Sequence, residues 1–384
     1  MPRHYFDNAA TSFPKPPAVT AAVTRYLQEC GAPAGRGAYR EATEVSRTVD
    51  RCRRAAATFF GVSDPRRMIF TFNGTDSLNL AILGLCRPGD HVITSTWEHN
   101  SVLRPLRMLE ATRDVEVTRL EPDAAGRIDP RQVSSAWQAN TRLVAMQHAN
   151  NVIGVIQPIA EMGAIVRERG GIFLVDAAQS AGHVPIDVKA QSIDLLASAG
   201  HKGLLGPLGT GLLYVGERIS DELHPLRYGG TGTSSEDDRQ PSELPEKFES
   251  GNLNVPGIVG LDASLTWLQQ RDLSSGYLHE QTCLLDLWNG LRSMAHVTLY
   301  GDNPVDVPRT GVISLNVRGY DPQDAALILD EHFGVQCRAG LHCAPGVHST
   351  FRTLAQGGTL RFSIGPFTTS ADIQAALAAV ASLG

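Results

Sequence analysis

The stretch Ser198-Ala199-Gly200-His201-Lys202-Gly203-Leu204-Leu205-Gly206 places one lysine among small residues and glycines, a short segment after the apolar run Ile172-Phe173-Leu174-Val175-Asp176. A lysine that forms a Schiff base must be held close to its partner, which glycines permit. It must also be partly neutral, which a desolvated site beside another cation favours. Taken singly, each residue has a plainer reading: an aspartate at a strand end commonly caps a turn, and a glycine-flanked lysine commonly sits in a solvated loop.

On either side of this stretch the chain alternates between two textures. Residues 16–60 read as helical, interrupted by the Gly/Pro stretch 31–37. Seven short apolar runs follow, at 68–72, 91–94, 115–117, 143–146, 171–175, 195–198 and 211–215, mostly separated by helix-length segments such as 159–169. This alternation predicts a largely parallel sheet in an α/β domain. Near residue 255 the texture changes: Asn254-Val255-Pro256-Gly257 opens a long helical stretch from Gly260 to about Met294. A strand-like run at 311–317, a helix at 322–333 and a strand at 359–364 then predict a smaller α+β domain. The Gly/Ser-rich stretch 229–238 between them reads as a mobile surface loop.

With 384 residues and 42% hydrophobic content, the chain can bury a large core, and two domains are expected. A net charge of −6 with no block of like charge gives no basic surface for nucleic acid. The N-terminal residues lack a signal peptide's apolar stretch and no window could span a bilayer, so the expectation is a cytoplasmic protein without a membrane partner. The six cysteines Cys30, Cys52, Cys86, Cys283, Cys337 and Cys343 show no Cys-x-x-Cys pairing and are expected to be free thiols in a reducing compartment.

Open α/β sheets bind ligands at the carboxyl ends of their strands, and here those ends collect polar groups. Asn73-Gly74-Thr75 follows the first strand; Gly74 allows a tight turn, and Thr75 with the following amides would cap a helix whose start could hold an anion. Later strand ends offer Trp97-Glu98-His99-Asn100, then His148-Ala149-Asn150-Asn151, Asp176-Ala177-Ala178-Gln179 and the lysine stretch. Plain caps, turns and structural histidines account for any one of these. Five strand ends with such groups point to one ligand, and an aspartate at a buried strand end suits the protonated ring nitrogen of pyridoxal phosphate.

The combination Asp176-x-x-Gln179, Ser198-x-x-His201-Lys202 and the glycines leading to Gly211 resembles the fold-type I pyridoxal-phosphate enzymes of the class V aminotransferase group, and within it the cysteine desulfurases. The resemblance covers nearly the whole chain. It includes Phe6-Asp7-Asn8-Ala9-Ala10-Thr11, Glu98-His99, Asn151-x-x-Gly154, Phe248-Glu249-Ser250-Gly251, Arg338-Ala339-Gly340-Leu341-His342-Cys343-Ala344-Pro345 and Arg361. It implies a seven-stranded, mostly parallel domain over 16–256, with 1–15 and 257–384 forming the small domain that carries the cysteine loop. It also implies a homodimer.

By the same resemblance Lys202 would hold the cofactor and move the substrate's Cα proton, Asp176 would pair with the ring nitrogen, Gln179 would bond the ring hydroxyl and His99 would stack on the ring. Gly74, Thr75, Ser198 and His201 would bind the phosphate. Asn151 would sit near the ring hydroxyl and substrate carboxylate, and Arg361 would clamp that carboxylate with its planar fork. Cys343 would be the nucleophile that takes sulfur from L-cysteine, releasing alanine, with Arg338 and His342 supplying positive charge. Its plainer reading is a buried inert thiol. The compact segment 338–345 resembles the SufS-like branch, which implies a separate sulfur-acceptor protein.

Three positions depart from the pattern. Asn252 stands where a threonine commonly reaches the phosphate across the dimer interface, although its amide can still donate; Tyr39 replaces a common histidine, and Asn73-Gly74 replaces Gly-Thr or Gly-Ala. They leave selenocysteine lyase and other class V lyase or epimerase activities as alternatives. Cys337, His342, Cys343 and His348 do not have the spacing of paired zinc ligands, so no metal is expected.

Overall fold

A computed structural model describes residues 2–35, 37–232 and 236–384. Arg36 in the Gly/Pro stretch and residues 233–235 in the expected surface loop lie outside the described residues. In chain order the elements begin with β1 (His4–Tyr5), α1 (Pro17–Arg25), α2 (Arg40–Phe59), β2 (Met68–Thr71), α3 (Gly74–Leu85), β3 (His91–Ser95), α4 (Asn100–Thr112) and β4 (Glu116–Leu120). There follow α5 (Pro130–Ser135), β5 (Thr141–Gln147), α6 (Ile159–Glu168), β6 (Ile172–Asp176), β7 (Leu195–Ala199), β8 (Gly211–Val215), α7 (Val255–Gln269) and α8 (Leu273–Arg292). The chain closes with β9 (Val297–Tyr300), β10 (Val312–Val317), α9 (Pro322–Phe333), β11 (Val335–Gln336), β12 (Arg338–Gly340), α10 (Pro345–Thr350), β13 (Thr359–Ser363) and α11 (Ser370–Ala381).

The seven apolar runs form one sheet of order β2-β8-β7-β6-β5-β3-β4. Strands β3 to β7 pair in parallel, and β8 is antiparallel to both its neighbours. The near-continuous apolar strands follow from burial on both faces: β6 and β7 are buried at every position. Alternation then divides the side chains. Phe173, Val175 and Leu196 join α2 and α7 on one face, while Ile172, Leu174, Leu195 and Ala197 join α3 and α4 on the other. Asp176 and Ala199, in step with the second set, face α3 and α4.

A four-stranded antiparallel sheet, β12-β13-β10-β9, carries the C-terminal core with α8, α9 and α11. Strand β1 pairs in parallel with β11, which ties the N-terminus to this second layer. The helix expected to run unbroken from Gly260 to about Met294 is two helices. Asp272 ends the continuity, because its carboxylate accepts from Ser274 N at 3.0 Å and Ser275 N at 3.2 Å and so caps α8. Val255, Ile258, Leu261, Leu265 and Leu268 of α7 pack into the core of the seven-stranded sheet, so residues 257–269 share the large layer's core.

The Phe248-Glu249 motif has a structural anchor. Glu249 accepts from Arg53 Nη1 at 2.7 Å and Nη2 at 2.8 Å, and also from Phe70 N at 2.7 Å. It thereby fastens the segment before α7 to the edge strand β2, with the Arg53 charge buried and fully paired.

Candidate active site

Helices α3 and α4 begin where β2 and β3 end, and their first turns close one side of a cavity whose other walls come from the carboxyl ends of β5, β6 and β7. The cap of α3 is Asn73, whose Oδ1 accepts from Asp76 N at 2.9 Å. This corrects the expected capping role of Thr75 and leaves its hydroxyl facing the cavity, 2.7 Å from Ser101 Oγ. His99 caps α4 through a ring nitrogen: Nδ1 accepts from Ser101 N at 3.0 Å. Burial, reinforced by the charges of Lys202, Arg338, Arg104 and Arg361, lowers His99 to about 4, so its ring is neutral.

Asp176 ends β6 in the cavity wall, with Oδ1 accepting from Ala178 N at 2.9 Å. Burial raises its carboxyl, against the pull of the Ala178 N–H and of Lys202. Lys202 projects into the same cavity, and among the described residues its Nζ has no hydrogen bond or ion pair. Burial lowers its ammonium to about 8; Arg361 and Arg338 push the same way and Asp176 opposes them. The glycine argument holds at Gly203, where an added Cβ would stand 2.3 Å from Ala181 O, and at Gly200, where it would stand 2.2 Å from Thr210 Oγ1.

The turn that carries Lys202 is also held from a direction that sequence reasoning missed. The carbonyl of His201 accepts from Lys15 Nζ at 2.8 Å, Ser12 N at 3.0 Å, Ser12 Oγ at 3.1 Å and Thr11 Oγ1 at 3.2 Å. Gln179, a cavity residue, donates to Ala9 O at 2.9 Å. The His201 ring lines the cavity with Nδ1 buried and unpartnered, and burial, then Lys202 and Lys15, lower it to about 4.

The small sheet supplies the cations. Arg338 on β12 lies directly opposite Arg361 on β13. Arg361 is 2% exposed, donates from Nη1 to Asn151 O at 3.0 Å and from Nη2 to Asp7 Oδ1 at 2.9 Å, and keeps a buried Nε without a partner. Like charges facing each other across two strands oppose association, and the Asp7 carboxylate offsets the charge of Arg361. Asn151 joins the two regions, lining the cavity with an unpartnered Oδ1 while its Nδ2 donates to His342 O.

Cys343 is exposed, unlike the other five cysteines, which are buried or half-buried free thiols. It and His342 have positive φ, 59° and 50°, a tight reversal that leads from β12 to α10. The Cys343 carbonyl accepts from Asn100 N at 2.8 Å, so the cysteine loop rests on the first turn of α4 beside His99. Lys202 and Arg361 lie within electrostatic range of Cys343.

Residues 4–376 match the family described as aminotransferase class-V. This chain belongs to that family. It is 38% identical over 376 residues to a protein of Methanothermobacter thermautotrophicus named probable cysteine desulfurase, covering 97% of this chain and 92% of the relative. The apo structure of a cysteine desulfurase from Thermococcus onnurineus superposes with a TM-score of 0.91 at 34% identity, over 99% of this chain and 94% of that one. The Escherichia coli cysteine desulfurase CsdA, solved with an S-sulfonic acid, superposes with a TM-score of 0.89 at 26% identity, over 99% and 94%.

Within this class-V chain the cavity gathers Gly74, Thr75, His99, Asn151, Asp176, Gln179, His201 and Lys202. Two expectations, for Ser198 and His342, are corrected. Ser198 does not line the cavity; strand alternation puts it on the face of Leu196 and turns the methyl of Ala199 inward. His342 supplies no positive charge: it is 4% exposed, its Nε2 lies 3.1 Å from both Thr359 O and Thr359 Oγ1, and burial pushes its ring to about 2. Asn252 is exposed and lines a separate groove, away from the cavity of its own chain. Cys337 is pushed up by burial, and His348 is held by Thr353 Oγ1 at 2.8 Å. Among the described residues no three His, Cys, Asp or Glu side chains are placed to hold a metal ion, and no helix is long and apolar enough to cross a membrane.

Proposed function

We propose that the protein is a pyridoxal-phosphate-dependent cysteine desulfurase that converts L-cysteine to L-alanine and leaves the sulfur on Cys343. The observation that carries this reading is Lys202, unpaired and lowered to about 8, in one cavity with Asp176 and His99 and in range of the exposed Cys343. The residues suit the cofactor. A buried carboxylate awaits a cation, an unpartnered His201 Nδ1 and two helix starts await an anion, and Lys202 Nζ is free to form a Schiff base.

When bound, pyridoxal phosphate supplies an electron sink for the charge that develops at the amino acid's Cα. Asp176 would keep the ring nitrogen protonated, and neutral His99 would lie against the ring without opposing that charge. Thr75, Gly74 and His201 would hold the phosphate, and Arg361 with Arg338 the substrate carboxylate. Lys202 Nζ, near neutral pH a mixture of amine and ammonium, is suited to take the Cα proton and return it. Cys343 Sγ then bonds to the substrate sulfur as the carbon–sulfur bond breaks; the products are alanine and a Cys343 persulfide, with no outside oxidant or reductant.

The persulfide stands on an exposed loop, which suits delivery to an acceptor protein. The exposed position of Asn252 suits a homodimer in which it serves the partner's phosphate site. The packing of α7 supports a division into two domains near residue 272 in place of 256. Purified protein is expected to be yellow, to release alanine from L-cysteine, and to lose that turnover in Cys343→Ala while keeping its colour. A Cys343→Ala variant with full sulfur release would overturn the assignment of the nucleophile.

A further inference from the structure

Ser101, in the first turn of α4, is 7% exposed and lines the same cavity. It was absent from the expected site, and its contacts run in two directions. Its Oγ lies 2.7 Å from Thr75 Oγ1, across the gap between the starts of α3 and α4, and 2.9 Å from His99 Nδ1. Its backbone N–H donates to that same Nδ1 at 3.0 Å. A backbone N–H can only donate, so Nδ1 carries the lone pair and the neutral ring carries its proton on Nε2.

The two hydroxyls have two protons between them. One closes the Thr75–Ser101 hydrogen bond and the other points from Ser101 Oγ at His99 Nδ1, whose single lone pair the Ser101 backbone N–H also uses, so this second proton can turn to an anion at the mouth of two helices of 12 and 13 residues, whose dipoles both favour negative charge there. Ser198 faces away, so Thr75 and Ser101 are the hydroxyl side chains in the cavity wall. We propose that Ser101 is a cofactor-positioning residue: its hydroxyl completes the phosphate end with Thr75, and its N–H sets the tautomer of the ring-facing His99. This rests on the cofactor reading above and adds to it a residue with two separable tasks.

The test compares wild type with Ser101→Thr and Ser101→Val, which have the same shape and differ in the hydroxyl. Two readouts other than turnover are used: the dissociation constant of inorganic phosphate from apoprotein, measured by competition against cofactor uptake and directly by calorimetry, and that of pyridoxal phosphate. Ser101→Val is expected to weaken both by about tenfold or more, the cost of a lost hydrogen bond to a charged group, while Ser101→Thr stays within about threefold of wild type. Equal phosphate binding by the valine and threonine variants would overturn the proposal. A wild type that binds phosphate but takes up no cofactor would instead overturn the cofactor reading. Nitrogen-15 spectra of the His99 ring should show an unprotonated Nδ1 in wild type and in both variants, because the backbone N–H is retained; a protonated Nδ1 with neutral ring would overturn the tautomer assignment.

Discussion

The backbone N–H of Asn100 donates to the carbonyl of Cys343 at 2.8 Å, so the loop that bears the exposed thiol is seated on the helix start that His99 caps. The loop is held by its main chain, and among the described residues Cys343 Sγ makes no hydrogen bond. Cys343→Ala should therefore fold with a stability within about 0.5 kcal/mol of wild type, the range of an exposed substitution away from special contacts. Thermal unfolding checks this, and a large loss would show that the thiol has a structural role.

Lys202 sets a pH dependence whose direction follows from its shift. The ammonium loses its proton near 8 in place of 10.5, and only the amine attacks an aldehyde. Cofactor capture by apoprotein, trapped with borohydride at increasing pH, should rise through about pH 8 and level off above it. A rise centred near 10.5 would show that the lysine is not desolvated.

Arg361→Lys keeps a charge but loses the fork that spans Asn151 O and Asp7. Its KM for L-cysteine should rise by about ten- to a hundredfold, with cofactor affinity unchanged. Steady-state kinetics beside a cofactor titration separates the two; an unchanged KM would remove Arg361 from the carboxylate site.

Ser198 and Thr75 should separate cleanly. Ser198→Ala removes a hydroxyl that faces away from the cavity and should leave the cofactor dissociation constant unchanged, whereas Thr75→Val should raise it by about tenfold. A weakened Ser198→Ala would restore the sequence expectation for that residue.

Glu249→Ala leaves the Arg53 guanidinium buried without its partner and Phe70 N without its acceptor. The expected loss is about 3–5 kcal/mol, measured by denaturant unfolding. A loss below about 1 kcal/mol would mean that water reaches Arg53.

The alternation of apolar runs and helical segments was legible because strands buried on both faces and helices have different lengths and periods, and all seven large-sheet strands lie where those runs stand. The strand-end residues Thr75, His99, Asn151, Asp176, Gln179 and Lys202 were legible for the same reason, since parallel strands deliver their following loops to one edge. The break before α8 was harder, because long helix-forming segments stand on both sides of the short polar run Gln269-Gln270-Arg271-Asp272, and only the cap at Asp272 marks a new helix start. The clamp of Lys15, Ser12 and Thr11 on His201 O spans about the first half of the chain, and no local pattern announces it.

The sequence by itself determined which chemical groups are available and on which strand ends they stand, because side-chain type and backbone periodicity are local properties. Tertiary structure decided which of them share a cavity and in what charge state. Ser198 was turned outward by the pleat, His342 was neutralised by burial, and Lys202 was lowered toward neutrality by the same desolvation with Arg361 and Arg338 nearby. Solvent exclusion and the field of distant charges depend on what the fold packs around a group, and neighbours in the chain do not specify them.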